Sequence, residues 1–444
     1  MNKFLILLTL SIAIEQSCFS QTKDEIATRI DDYVRPYVES NNFSGSILVS
    51  KGKKILFKKA YGYANLESKI PNQASTAFHI ASVSKTFTAT GIMILEQRGL
   101  LTTSDLLSKY IPDFSLGDRI TIHHLLTHTS GITNVNNLPE YAAASQIHQT
   151  PATLIDLFKN KPLDFQPGEK YSYSNSNYNV LAYIIEKVSG KTYGDFLMEN
   201  IFKPLKMSHT FHHDNVSQII PDCATGYVPE GLSGLQKSPF LDWSSKTGNG
   251  SLVTTTEDLL KWAYSFQGTK ILSEKSKAKM FTQYGGSGYG WFLKTQFNKN
   301  CTYMNGRSPG FTSYLGMYPD ENICIIVLSN NYVPVASVIG NDLAGILLNE
   351  SIESPVIKNA KVPLEESKLI VGRYQFGKDF YRPDFVMEIK EQEGNIISSW
   401  GELFPGKPFE FINRTYWSKI TFIKDKTGKI IQMNLDNFSG SKIE

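Results

Sequence analysis

Strand-like runs in residues 21–350 lie at two places far apart, and that separation constrains the fold more than any other feature. Residues 44–50 and 54–63, joined by Lys51-Gly52-Lys53, read as a hairpin; the next strand patterns come only at 289–295, 301–305, 311–318 and 323–329. Between them, 78 to about 280 is mostly helical in pattern, broken by loops bearing Gly and Pro. An isolated hairpin is marginal in water, so the early strands are expected to join the late ones in one sheet fed by both ends of the chain. Ile26, Ile30, Tyr33, Val34, Tyr37 and Val38 recur at helical spacing before the hairpin, and 336–348 reads as a helix after the last strand. The expected fold is α/β, an antiparallel sheet flanked by N- and C-terminal helices with a large helical subdomain, over residues 21–350.

A chain of 444 residues is long for one domain. Residues 351–364 lose periodicity around Pro355 and Pro363 and read as a linker. Beyond it, 365–444 holds only strand patterns and turns such as Glu393-Gly394-Asn395, which predicts a small all-β domain. That segment contains no His or Cys, and no chemistry is assigned to it. The 45 basic residues barely exceed the 42 acidic ones, whereas a nucleic-acid binder usually carries a stronger or more clustered excess. Nucleic acid is not an expected partner.

Residues 1–20 read as a signal peptide. Lys3 precedes eleven mostly apolar residues, Phe4 to Ile14; as helix these rise about 16 Å, half of what a membrane span needs. The mature protein is expected to be secreted or periplasmic, with no transmembrane span. Cys18 raises a lipoprotein reading, which Glu15-Gln16-Ser17 makes the less favoured one. Removing it leaves Cys223, Cys301 and Cys324, an odd number. Cys301 and Cys324 fall on strands two apart, about 9.5 Å by strand spacing and beyond the ~7 Å reach of a disulfide. Buried free thiols are expected.

Two short patterns compete for a nucleophilic serine. Gly306-Arg307-Ser308-Pro309-Gly310 is a literal G-x-S-x-G, but the residue after the serine, Pro309, has no N–H to offer as oxyanion donor, and a strand pattern follows instead of a helix. The second pattern is S-x-x-K. On a helix, residues i and i+3 share a face, so the lysine amine stands beside the serine hydroxyl. The spacing recurs at Ser20, Ser50, Ser82, Ser276 and Ser439, yet only Ser82-Val83-Ser84-Lys85 opens a long apolar helix, through Phe87, Ile92, Leu95 and Leu100. A hydroxyl- and amide-rich loop, Tyr171-Ser172-Tyr173-Ser174-Asn175-Ser176-Asn177-Tyr178, precedes a further helix at 180–188.

With His79 to Lys85, Ile122 to Gly131, Tyr171 to Tyr178, Tyr289-Gly290-Trp291 and Pro309-Gly310-Phe311 in this order, residues 25–350 resemble the serine β-lactamase and penicillin-binding-protein superfamily, in its class C and D-Ala-D-Ala carboxypeptidase-like branch. The resemblance implies that Ser82 is the acyl-accepting nucleophile and Lys85 its activating partner, neutral or sharing a proton with Tyr173. It implies that Tyr173, its pKa lowered by the adjacent cation, is the general base and later the general acid. Asn175 would bind the substrate amide or position Lys85. The N–H groups of Ser82 and Arg307 would form the oxyanion hole, and His123, His124 and His128 would be structural.

The third family motif departs from the pattern. Where K-T-G or H-x-G is usual, counting back from Pro309 finds Met304-Asn305-Gly306, so the usual partner for a substrate carboxylate is missing. Arg307 would supply the missing cation if its side chain turned inward, a solvent-facing arginine being the favoured reading; Met304, Gly306 and Arg307 join Asn175 as candidate substrate-binding residues. Lys246-Thr247-Gly248 and Lys426-Thr427-Gly428 read as decoys. His209-Thr210-Phe211-His212-His213 is a weak metal pattern, with Asp214 the only nearby carboxylate, so no metal and no cofactor are expected. The function expected is a serine hydrolase acting through an acyl-enzyme on amide, D-amino-acid peptide or ester substrates, peptidoglycan-derived material included. The alternative is a catalytically lapsed penicillin- or peptide-binding protein.

Overall fold

The computed structural model describes residues 22–231, 234–354, 357 and 361–443. The expected signal peptide and parts of the expected linker lie outside them. Helix α1 (Lys23–Glu39) starts at a capping box in which Thr22 accepts from the Glu25 N–H and Glu25 accepts from the Thr22 N–H. The hairpin β1 (Gly45–Lys51) and β2 (Lys54–Tyr61) follows. Two long helices of the intervening block matter most here, α2 (Ser84–Gln97) and α3 (Asn175–Ser189). The late strands are β3 (Phe292–Gln296), β4 (Lys299–Ser308), β5 (Phe311–Tyr318) and β6 (Ile323–Ser329), and α4 (Val335–Leu347) closes the unit.

The sheet has the order β3-β4-β5-β6-β1-β2, every pair antiparallel. The two chain ends meet where β1 pairs with β6, Gly45 opposite Ser329 and Lys51 opposite Ile323. Every residue of β6 is buried, which explains why Ile323-Cys324-Ile325-Ile326-Val327-Leu328 lacks alternation: a central strand covered on both faces has no polar face. Ile47, Val49, Ile325 and Val327 pack with α1 and α4, while Leu48, Ile326 and Leu328 face the core shared with α2 and α3. Cys301 and Cys324 fall into opposite cores and are free thiols, as is Cys223.

Two expectations need correction. The block from 78 to 280 also holds a three-stranded sheet of Phe78–His79, Leu252–Thr254 and Phe211–His212, and a hairpin of Tyr227–Glu230 with Gly234–Lys237. Strands this short carry too few residues to show a period. The C-terminal segment opens on a helix, Leu364–Ile370, whose Ile370 is buried in the core of the unit that follows. Seven residues likewise fall below what periodicity can distinguish.

That unit is a closed barrel of eight antiparallel strands: β7 (Gly372–Phe376), β8 (Val386–Gln392), β9 (Asn395–Ser398), β10 (Gly401–Pro405), β11 (Glu410–Asn413), β12 (Ser418–Lys424), β13 (Ile430–Leu435) and β14 (Phe438–Lys442). Closure comes from β7 pairing with β14, which leaves no free edge. The barrel is tied to the sheet unit by the turn after β11. Arg414, fully buried, donates from Nε to Asn42 Oδ1 at 3.0 Å, from one terminal nitrogen to the Asn41 carbonyl at 3.2 Å, and from the other to the Gly231 carbonyl. Because charged hydrogen bonds contribute about 1.5–3 kcal/mol each and buried acceptors left empty add a penalty, Arg414→Met should destabilise the joined molecule by roughly 3 kcal/mol. Calorimetry checks this: the barrel should melt earlier and apart from the sheet unit, whereas an unchanged thermogram would refute the coupling.

Candidate active site

Ser82 lies in a single 3₁₀ turn, Ala81–Val83, that runs directly into α2. Ala81 adopts φ 46°, the left-handed region in which an L-residue is strained by about 1–3 kcal/mol. The turn is held from three directions. The Ile80 N–H donates to the Leu252 carbonyl at 3.0 Å, Ser313 Oγ donates to the Ile80 carbonyl at 2.7 Å, and the Leu252 N–H donates to Ser84 Oγ at 3.2 Å.

One helical turn on, Lys85 Nζ stands 3.1 Å from Ser82 Oγ. It also lies 2.8 Å from Asn175 Oδ1 and 2.8 Å from the Asn249 carbonyl. No part of this lysine is exposed, and its cation has no carboxylate partner among the described residues. Burial, with the charge of Lys246 nearby, pushes the amine well below the ordinary lysine range. The three contacts fit a neutral amine: two N–H groups donate to two oxygens that can only accept, and the lone pair faces the Ser82 hydroxyl.

Tyr173 OH donates to Ser82 Oγ at 2.9 Å. The expectation of a lowered phenol pKa is reversed, because burial holds Tyr173 above the ordinary tyrosine range, against the opposing effect of its bond to Ser82. Burial therefore disfavours the charged form of both groups beside the Ser82 hydroxyl, the ammonium of Lys85 and the phenolate of Tyr173. The ring is seated by His128, whose centroid is 4.4 Å away and whose Nδ1 accepts from the Ser174 N–H at 3.2 Å. Burial is the largest cause holding His128 well below the ordinary histidine range, which favours the neutral ring as a structural acceptor. His123 Nδ1 meets Tyr289 OH at 2.7 Å and His124 caps the helix it sits on, so these two also brace the fold.

Strand β4 supplies the opposite wall. Its pairing with β3 ends at Tyr303, while its pairing with β5 runs on to Ser308, so residues 304–308 present an open edge. Pro309-Gly310 is the two-residue turn between β4 and β5, with Gly310 at φ 83°, so the G-x-S-x-G string is a hairpin and not an elbow. Ser308 and Phe311 close that turn, and ladder alternation then directs the Arg307 N–H to the open edge, beside the Ser82 turn. Gly306 is what allows the approach: a Cβ there would lie 2.3 Å from the Ile80 carbonyl oxygen and 2.9 Å from the Ser82 nitrogen.

The other β4 candidates divide. Met304 is buried in the apolar core and lines no part of the cavity beside Ser82, so it is not a substrate-facing residue; its alternation partner is the core leucine Leu315. The Arg307 side chain borders that cavity, but its guanidinium is engaged. It donates to the Tyr332 carbonyl at 3.3 Å and to the Thr415 carbonyl of the barrel at 2.7 Å, and lies 4.0 Å from the Tyr332 ring.

Sequence reasoning passed over three contributors. Asn249 provides a carbonyl to Lys85, Asn136 accepts from Asn175 Nδ2 at 2.7 Å, and Lys246 lines the cavity. The discounted Lys246-Thr247-Gly248 string packs on the catalytic helices: Gly248, at φ 83°, has its carbonyl bonded by Thr88 Oγ1 at 2.6 Å, and a Cβ would meet the Tyr178 carbonyl at 2.2 Å. No cluster of three or more metal-ligating side chains occurs among the described residues; His212 pairs with Asp214 and His213 stacks on His79. No helix among them is long and apolar enough to cross a membrane.

Comparison with known proteins gives the same architecture. The Beta-lactamase family model matches residues 30–349. PbpX of Bacillus subtilis is 35% identical over 297 residues, covering 66% of this chain and 72% of that protein. Penicillin-binding protein 4* of Bacillus subtilis is 32% identical over 320 residues, covering 66% and 69%. The octameric penicillin-binding protein homologue from Pyrococcus abyssi superposes with a TM-score of 0.68 at 24% identity, over 94% of this chain and 99% of that one, a likeness of fold.

The Gly306 contact makes a direct prediction. Gly306→Ala should push β4 off the Ser82 turn and slow reaction of Ser82 with a fluorophosphonate by at least ~100-fold, about the value of one oxyanion donor. Circular dichroism should stay unchanged; labelling at the wild-type rate would contradict the geometry.

Proposed function

The chain belongs to the Beta-lactamase family, and from that premise we propose that it is an exported serine hydrolase that forms an acyl-enzyme on Ser82 with amide, D-amino-acid peptide or ester substrates. The observation that carries this reading is the convergence on Ser82 Oγ of a buried amine at 3.1 Å and a phenol at 2.9 Å, with an open strand edge on the far side. Export is supported by the apolar segment behind Lys3. A relative named for penicillin binding supports β-lactams as probes.

In this mechanism the Ser82 hydroxyl gives its proton to the Lys85 lone pair as Oγ attacks the substrate carbonyl carbon. The new oxyanion is held by the N–H groups of Ser82 and Arg307, each such donor contributing about 3–4 kcal/mol in a dry site. Collapse breaks the bond to the leaving group, which takes the Tyr173 proton; the proton held on Lys85 then restores the phenol. Water attacks the acyl-enzyme by the same sequence, releasing the acid and returning the proton to Ser82. General acid and base contributions of this kind are worth roughly 10²–10⁴ in rate. A neutral Lys85 is the condition for the first step, and its burial in the folded state supports that reading.

Two measurements test the proposal. A fluorescent penicillin and a fluorophosphonate should label the wild-type protein and fail to label Ser82→Ala; absence of any Ser82-dependent adduct would favour the lapsed binding protein. Because the folded-state pKa of Lys85 is lowered, the acylation rate should rise with pH as the amine deprotonates and level off far below the ordinary lysine pKa of about 10.4. A rate that climbs only near pH 10 would contradict the neutral-amine base.

A further inference from the structure

The cavity beside Ser82, about 240 Å³ in volume, is bordered by Ser82, Asn175, Lys246, Asn249, Arg307 and Tyr332 among others. Two of these residues are cations, and no aspartate or glutamate borders it. Lys246 is the unusual one. It is only 6% exposed, it makes no ion pair among the described residues, and its contact is the face of the Tyr141 ring, 5.0 Å from Nζ to the centroid. An ammonium on a largely buried side chain with no counter-charge is a ready partner for a ligand that supplies one. A second, independent group points the same way: Asn249 is 2% exposed, its backbone carbonyl is used by Lys85, and its side-chain Nδ2 donor has no partner among the described residues. Arg307 adds positive potential from the other wall but is tied to Tyr332 and Thr415.

We propose that Lys246 and the Asn249 amide form a subsite for a carboxylate carried by the acyl portion of the substrate. The assignment to the acyl side follows from Tyr173, which stands on Ser82 Oγ yet borders no part of this cavity. The leaving group must lie against the phenol that protonates it, so the cavity is left for the group retained on Ser82. The substrate class is then a monoester or monoamide of a dicarboxylic acid, or a peptide whose acyl residue bears a side-chain carboxylate. The subsite lies on the 246–249 loop, not on β4, where Met304 is committed to the core. This inference rests on the acyl-enzyme reading for its direction, but not for the existence of the site.

The test uses 4-nitrophenyl monoesters of adipic, pimelic and suberic acids, each paired with its neutral ω-carboxamide, on the full chain. For the chain length that fits, the wild-type kcat/KM should favour the acid. That acid-to-amide ratio should fall at least tenfold in Lys246→Met and recover in part in Lys246→Arg. Taking the ratio removes any change in Lys85 basicity common to both esters. A ratio unmoved by Lys246→Met, or a wild-type preference for the carboxamides, overturns the proposal. Titration calorimetry with monomethyl suberate gives a readout independent of turnover. Wild type and Ser82→Ala should bind it alike, and Lys246→Met at least tenfold more weakly; equal binding by Lys246→Met overturns the subsite even if hydrolysis is found. Conversely, Lys246-dependent binding with no Ser82-dependent hydrolysis keeps the subsite and removes the acyl-enzyme reading. Should Lys246→Met lose its circular dichroism signature, Lys246→Gln takes its place in both assays.

Discussion

The burial of one amine organises this molecule. Lys85 is placed inside the protein with two oxygen acceptors and one hydroxyl around it and no carboxylate partner among the described residues, so burial without a counter-charge disfavours the ammonium. The acceptors come from distant parts of the chain, Asn175 from the first turn of α3 and the Asn249 carbonyl from the loop after Lys246-Thr247-Gly248. To bring them together, α2 must be buried on all sides, which is why Ser84 through Leu95 are uniformly inaccessible. Ser82, Lys85 and Tyr173 are thus held by one packed core, not by three separate motifs.

The barrel takes part in the same architecture. Arg414 anchors it to the loop between α1 and β1, and the next residue, Thr415, accepts from Arg307. The residue whose N–H faces the Ser82 turn is therefore braced through its side chain by the C-terminal unit. A segment without His, Cys or a nucleophile bears on the site by holding its wall, a role that an inventory of reactive residues does not detect.

The parts of the site legible in the sequence were those that depend on local spacing. Ser82 and Lys85 are one helical turn apart, and any helix puts them side by side. Tyr173 and Asn175 flank a helix start whose hydroxyl-rich run is visible in the letters. Met304 was read as a missing donor facing substrate and is instead a core residue, because which face of β4 points inward depends on what covers the sheet. The direction of the Tyr173 shift was inverted for a similar reason: it depends on whether the neighbouring lysine carries its charge, and burial decides that. Lys246 was discounted because a K-T-G string was expected on a strand, whereas a glycine that accepts close contact with Tyr178 carries it to the cavity on a loop.

By itself the sequence determined the α/β class, the sheet built from both chain ends, the β character of the C-terminal unit and the placing of Ser82 and Lys85 one helical turn apart. All of these follow from periodicity and spacing, which act over a few residues. The tertiary structure alone decided the direction in which burial shifts Tyr173, which cation faces the cavity and which domain braces its wall. Charge state and accessibility depend on solvent exclusion by residues far apart in the chain, and no local pattern encodes that.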